Sequence, residues 1–445
     1  LLPVTKLTNE INFMEWKYLD PLKVNKFGML EPSLKGKIIL PNFMLVPLLA
    51  FDNNNNRLGY GKGFYDRFLN RFLKIKKNII TVGVAFSFQK YNKLPTNIHD
   101  VKLNYILTEK GMKKALLAAY GGTATTEGAV IKGLEWLKRN QKPDGMWSLL
   151  GNFADGAPTE NRVAATAMAL LAFQGHGSTH QFGPYKDVVA RAWNALIKKQ
   201  DAEGNFFLTG GHHHRLYTHA QATIALCELY GMTKDKTIKR AAQNALDYSF
   251  QAQSPQGGWR YAPGGASDTS VTGWFVMALQ SGRMAGLEVP AVYLDKISAY
   301  LDTATTDGGS KYAYIPGQSD TLSMAAEGLL CRQYLGWSHD DPRLVQGIQY
   351  VGSNPLRFAE MDVYYWYYAT QAMHHMGGKS WMQWNRIMRQ ALPENQLQTG
   401  KEAGSWDPHN DSHGHLGGRL YTTCLCIYML EVYYRHLPVY KHNLK

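Results

Sequence analysis

GLEWLKRNQKPDGMW (133–147) runs at helical periodicity into a Gln, a glycine and a tryptophan, and the same ending recurs along the chain. WNALIKKQDAEGNFF (193–207) and ALDYSFQAQSPQGGW (245–259) repeat it closely, and ISAYLDTATTDGGSKY (297–312) repeats it weakly. An alanine-rich second helix is expected after each, with starts near Asn161, Leu216, Asp268, Asp320, Asp362 and Leu420. These starts are 55, 52, 52, 42 and 58 residues apart, which gives six helix pairs. A two-helix repeat cannot bury its apolar faces alone and must stack on its neighbours. Six pairs can close on themselves, so the expectation for residues 112–445 is an all-α (α/α)6 toroid. In the recurring turn, glycine ends the helix in a left-handed conformation, Gln satisfies the last carbonyls and Trp covers the turn. Those residues read as staples between repeats.

The chain changes character near residue 111. Two alanines (Ala50, Ala85) precede that point and 38 follow it, and Trp16 precedes ten later tryptophans. The net charge of +13 is also uneven, because residues 1–111 hold 17 basic and 8 acidic side chains. Their lysines are scattered among asparagines without a clustered basic and aromatic face, which argues against nucleic-acid binding. Cys227, Cys331, Cys424 and Cys426 form no C-x-x-C pair and read as buried thiols. No run of 18 apolar residues is present, so no membrane span is expected, and a cytoplasmic setting is favoured. The chain opens on Leu1 without a signal-peptide pattern, and a natural N-terminus is expected to be missing.

In the first segment, Ile38–Phe51 and Ile79–Phe86 read as buried strands flanking an amphipathic helix that starts near Phe64. The loop entering that helix is RLGYGKGFYDR (57–67). Alternate glycines let backbone N–H groups approach an anion at a helix N-terminus, and Arg57, Lys62 and Arg67 can add charge to phosphate oxygens. Asp66 could hold Mg²⁺. A tight turn before a packed helix accounts for the same spacing equally well.

VPLLAFD (46–52) with RLGYGKGFYDR (57–67) resembles the signature block of 5-formyltetrahydrofolate cyclo-ligases, and FGMLEP (27–32), VGVAFSFQ (82–89) and LPTNIHDVKLNYILTEK (94–110) follow the family in order. The resemblance implies a partial α/β, Rossmann-like segment over 1–111 and an ATP-dependent closure of 5-formyltetrahydrofolate to 5,10-methenyltetrahydrofolate. It would place Arg57, Gly59, Gly61, Lys62, Gly63, Tyr65 and Arg67 at ATP, Asp66 at Mg²⁺ and Glu31 at the folate. Family members carry about another half-domain before the point matching Leu1, so this segment is expected to be inactive alone.

The second segment resembles the toroid of squalene–hopene cyclases and protein prenyltransferase β-subunits. DTSVTGWFVMALQSGRMAGL (268–287), AAEGLLCRQYLGW (325–337), DVYYWYYATQAMHHMGG (362–378) and GGRLYTTCLCIYMLEVYYRHLP (417–438) carry the likeness. It implies an apolar or isoprenoid ligand in an aromatic cavity walled by Trp274, Tyr365 and Trp366, with His219, Asp268, Asp320, Asp362 and Cys424 as polar groups. Ala164, His219, Val271, Ser323, Tyr365 and Thr423 share a repeat position and are expected to face one axis.

Catalytic signatures are weaker. Protonating an alkene takes a cluster of carboxylates that tunes one strong acid, and Ser267-Asp268-Thr269-Ser270 offers a single carboxylate. No Asp-x-Cys zinc pair is present either. His212, His213, His214 and His219, and His409, Asp411, His413 and His415, could bind a metal, although solvated loops explain them as well. Asp268, Asp320 and Asp362 also fit helix caps.

Overall fold

The computed structural model describes residues 1–5, 10–17, 20–25, 28–32, 38–73, 79–207 and 211–435. Phe27, Leu208–Gly210 and residues 436–438 lie outside them. The chain divides into two compact units, Leu1–Leu116 and Leu117–Lys445.

In the first unit, β1 (Leu2–Thr5) pairs with β2 (Ile11–Met14), and β3 (Leu22–Val24) pairs with β4 (Leu30–Pro32), both antiparallel. β5 (Phe43–Pro47), then β6 (Ala50–Phe51) and β7 (Arg57–Leu58) lead into α1 (Phe64–Phe72). β8 (Ile80–Val84) lies between β5 and β9 (Tyr105–Leu107) in a three-stranded parallel sheet. Phe13, Met44, Val46, Phe51, Phe68, Leu69 and Leu103 form the core on one side of it.

The long apolar run from Ile38 is thus not one buried strand. It breaks after Pro47, and alternate residues of β5 are exposed: Phe43 (57%) and Leu45 (55%) share a face with Ile80 and Tyr105 (62%). A parallel sheet ordinarily buries both faces. Here one apolar face is open.

α2 (Glu109–Ala119) follows, and the second unit is built from twelve helices. The outer set is α3 (Ala124–Arg139), α5 (Lys186–Ile197), α7 (Lys236–Gln251), α9 (Ala291–Thr303), α11 (Pro342–Gly352) and α13 (Gly378–Glu394). The inner set is α4 (Arg162–Gly175), α6 (Arg215–Thr233), α8 (Thr269–Ala285), α10 (Leu322–Tyr334), α12 (Val363–Met376) and α14 (Gly414–Arg435). Each inner helix packs on the next, and α14 packs on α4 as well as α12. The ring is closed, as an (α/α)6 toroid. Composition explains the layering: α12 is buried at every position from Val363 to Met376, whereas α13 and α7 bury one stripe each.

The staples are visible atom by atom. Gln253 Nε2 donates to the carbonyls of Gly257 (2.8 Å) and Tyr293 (3.1 Å), tying its turn to α9. Gln141 and Gln200 do the same toward α5 and α7. The Gln therefore reaches the following outer helix rather than the last carbonyls of its own. A Cβ at Gly257 (φ +100°) would strike the Lys296 carbonyl, so glycine is required there for both conformation and space. A further turn was hidden in sequence because its loop is longer: Gln396 binds the carbonyls of Gly404 (2.9 Å) and Ala129 (2.8 Å), joining the last repeat to the first. Trp147, Trp259 and Trp406 each donate an indole N–H to a helix carbonyl beneath the turn.

Asp268 and Asp362 cap α8 and α12, accepting from the N–H groups of Val271 and Tyr365. At Asp320 the expectation shifts by one residue, since Thr321 caps α10 while Asp320 accepts from Thr306 Oγ1 (3.2 Å).

Candidate functional site

The loop before α1 has the geometry expected for an anion. Gly61 (φ +80°) and Gly63 (φ +59°) are left-handed, and Gly63 caps α1 with no side chain over its first turn. Lys62 is exposed, and Arg67 donates to the Lys62 carbonyl (2.7 Å). Arg57 lies 2.8 Å from Asp66 and near the Tyr65 ring (5.8 Å). A Cβ at Gly59 would meet the Arg57 guanidinium (2.8 Å). Asp66 also accepts the Val101 N–H (3.2 Å). The loop therefore suits phosphate oxygens, whereas Asp66 is already committed to holding Arg57.

Asp52, unremarked in sequence, is the hub of this region. Burial alone would raise its pKa, but hydrogen bonds from Asn56, Leu94 and Asn54 bring it down to about 2. Glu31 is similar: burial opposes ionisation, and bonds from Thr5 and Asn25, with Lys23 nearby, hold it below the usual carboxylate range.

Inside the toroid, the six positions expected to face one axis do not do so together. His219 reaches the Ala245 carbonyl (2.9 Å) and Ser249 (3.0 Å) of outer helix α7, and burial lowers its pKa to about 4. Tyr365 donates to carbonyls of Val351 and Asn354 beside α11, and Thr423 meets the Trp406 N–H. These three point into the layer between the rings. The six do not share one repeat position either, because the turn tryptophan N–H groups bond Thr166, Thr272 and Thr423, which makes Thr423 the equivalent of Thr166 and Thr272 rather than of Ala164 and Val271. Ala164 and Val271 are buried, and Ser323 donates to Asp362 (3.1 Å). Trp366 packs on Phe358, and Cys424 is a fully buried thiol pushed up in pKa by burial.

The axis is filled with other side chains. Trp274 of α8 stacks on Tyr367 of α12 (5.9 Å), which meets Tyr428 of α14 (5.7 Å), whose hydroxyl bonds the Met168 carbonyl of α4. Every one of these residues is less than 9% exposed.

At the end where the inner helices begin, a polar network caps this aromatic plug. Tyr217 and Ser270 share a hydrogen bond (2.7 Å), Ser270 and Tyr364 another (2.6 Å), and Tyr364 donates to Glu327 (3.2 Å). Burial keeps Glu327 far above its ordinary pKa despite the Tyr368 and Tyr364 hydroxyls. Glycine makes its space, because a Cβ at Gly273 would collide with the Glu327 carboxyl. Asp268 accepts from Tyr314 (2.9 Å), which is bonded to Tyr261 (2.6 Å), and Arg260 lies 3.4 Å away. Burial raises Asp268 to about 6. Asp411, beside Asp362, is raised to about 7, first by burial and then by that neighbouring charge. His413 stands over Tyr364 (5.7 Å). Glu327, which sequence did not single out, thus joins Asp268, Asp362 and Asp411, which it did, although from separate repeats. No group of three metal-ligating side chains occurs among the described residues. A hollow of mixed polar and apolar lining at the opposite end is bounded by all six inner helices, through Leu171, Glu228, Ser281, Tyr334, Gln371 and Arg435.

The comparisons separate the two units in the same way. The 5-formyltetrahydrofolate cyclo-ligase family matches residues 1–109. The Haemophilus influenzae 5-formyltetrahydrofolate cyclo-ligase is 40% identical over 111 residues, 24% of this chain and 57% of that protein. The Mycoplasma pneumoniae enzyme is 31% identical over 118 residues, 23% of this chain and 69% of that protein. Through its first 109 residues the chain belongs to this family. It spans a little over half of the Haemophilus relative's length. Over the rest, the α-1,6-mannanase GH76A of Salegentibacter sp. HEL1_6 shares the fold, with TM-score 0.51, 13% identity, and coverage of 69% of this chain and 98% of that one. The type II terpene cyclase MstE from Scytonema aligns with TM-score 0.47 and 15% identity, over 69% of this chain and 98% of that one. No helix among the described residues is long and apolar enough to cross a membrane.

Proposed function

We propose that the toroid binds a hydroxyl-bearing, saccharide-like ligand at the mouth formed by Tyr217, Ser270, Tyr314, Tyr364 and the carboxyls around them. The observation that carries this reading is the Ser270–Tyr364 bond, which crosses the ring between helices that are not neighbours. With the axis occupied below it, the mouth is where phenols, a serine and carboxyls converge, and alternating donors and acceptors suit a polyol. The isoprenoid ligand implied by sequence resemblance would have to displace Trp274, Tyr367 and Tyr428 from close packing. Saturation-transfer NMR with a panel of neutral oligosaccharides tests the reading: at least one should bind, and Tyr217→Phe with Tyr364→Phe should weaken it.

The cyclo-ligase segment, in this proposal, holds nucleotide phosphates at Arg57, Gly59, Gly61, Lys62, Gly63 and Arg67, with Tyr65 packed under Arg57. ATP would supply the phosphoryl group and Mg²⁺ would screen its charge, while a folate-like molecule would lie toward Glu31. Because one sheet face is open and one oxygen of Glu31 is held by Thr5 and Asn25, this segment alone is proposed not to complete ring closure. Fluorescent nucleotide titration should show binding that Lys62→Ala weakens.

A further inference from the structure

We infer that the ligand at the toroid mouth carries an ammonium group, seated between Asp362 and Asp411; this rests on the mouth being the binding site. Asp362 spends both oxygens within the protein, on the Tyr365 N–H (2.8 Å) and the Ser323 hydroxyl (3.1 Å). Asp411 spends one, on the Val363 N–H (2.8 Å). Its other oxygen, Oδ2, is buried and has no hydrogen-bond donor, although the residue is only 5% exposed. A buried carboxylate oxygen without a donor is costly, and a second carboxylate beside it adds repulsion.

The protein does not relieve this itself. The N-terminus of α12 supplies N–H groups to both carboxylates but no full charge. Arg260 is committed to Asp268 and the Tyr261 and Tyr314 faces, and Arg419 to Asp155. No Lys or Arg forms an ion pair with Asp362 or Asp411 among the described residues. A neutral hydroxyl would complete the missing bond and leave the like charges facing each other. A metal ion would find no third protein ligand. An ammonium satisfies both needs.

The test is calorimetric titration of the full chain at about pH 6.5, where an amine is protonated, with a glucosamine tetramer and its N-acetylated counterpart. The expected result is at least about tenfold tighter binding of the amine form, with proton release seen as a dependence of the heat on buffer. Asp411→Asn should bring the two affinities together. Equal affinity for the two tetramers in the wild type overturns the ammonium assignment while the mouth remains a saccharide site. Binding of neither overturns both. The wild-type comparison stands even if Asp411→Asn does not fold.

Discussion

Ser270 on α8 and Tyr364 on α12 bring their hydroxyl oxygens within 2.6 Å across the ring, 94 residues apart in sequence and separated by the whole of α10. That contact fixes the ring's effective width at its mouth, and it couples Tyr217 on one side to Glu327 on the other. Removing either hydroxyl leaves a buried polar partner short of a bond.

Tyr364→Phe is therefore expected to destabilise the toroid by about 1–3 kcal/mol, the usual range for orphaning a buried polar group. Urea unfolding monitored by tryptophan fluorescence measures it. Tyr364→Phe combined with Glu327→Leu should cost less than the sum of the two, because with both polar groups gone neither is left without its partner.

Gln253→Ala should cost about 1–3 kcal/mol, since it deletes the two hydrogen bonds that a buried side chain makes to the carbonyls of Gly257 and Tyr293. Lys239→Ala, at an exposed position on α7, should stay within about 0.5 kcal/mol of wild type. Chemical denaturation of both variants decides whether the Gln turns are staples.

The repeat was legible in sequence because Gln, Gly and Trp recur at fixed offsets, and the ring followed from counting them. Gln396 escaped that count because eight residues rather than four separate it from its glycine. The site was less legible. Repeat position predicts which residues are equivalent but not which way each side chain turns, so His219 and Tyr365 were expected on the axis and are found facing outer helices. Glu327 lies in an alanine-rich helix with nothing local to mark it, and its meaning depends on Gly273 and Tyr364 in other repeats. In the first unit the left-handed turn before α1 was readable from glycine spacing, while the Arg57–Asp66 pair depended on where Arg57 folds.

Asp268 and Asp411 should cost the toroid stability as pH rises from about 4 to about 7, against His219 and His375, whose burial-lowered pKa values favour the fold over part of the same range. Asp268 and Asp411 have folded pKa values of about 6 and about 7, above the ordinary 3.8. A carboxyl shifted upward on folding gives its full contribution below the unfolded value and loses it as pH rises through the folded one. Asp411→Asn should thus gain on wild type between about pH 4 and pH 8, by about 4 kcal/mol at the upper end. Thermal unfolding across that range measures it, and a widening deficit for the variant would refute the assignment.

The full chain should give no methenyl product from 5-formyltetrahydrofolate with Mg-ATP. The reason is the open face bearing Phe43, Leu45, Ile80 and Tyr105. Product absorbance is the readout, and steady turnover would show that the uncovered sheet is sufficient.

The measurement that bears most directly on the whole account is a paired equilibrium titration of the full chain with a soluble oligosaccharide panel, including the glucosamine tetramer, and with geranylgeranyl diphosphate. The account predicts saturable saccharide binding that Tyr217→Phe with Tyr364→Phe weakens about tenfold or more, and no saturable isoprenoid binding, because Trp274, Tyr367 and Tyr428 fill the axis. Saturable isoprenoid binding that Trp274→Ala alters, with no saccharide bound, would contradict it.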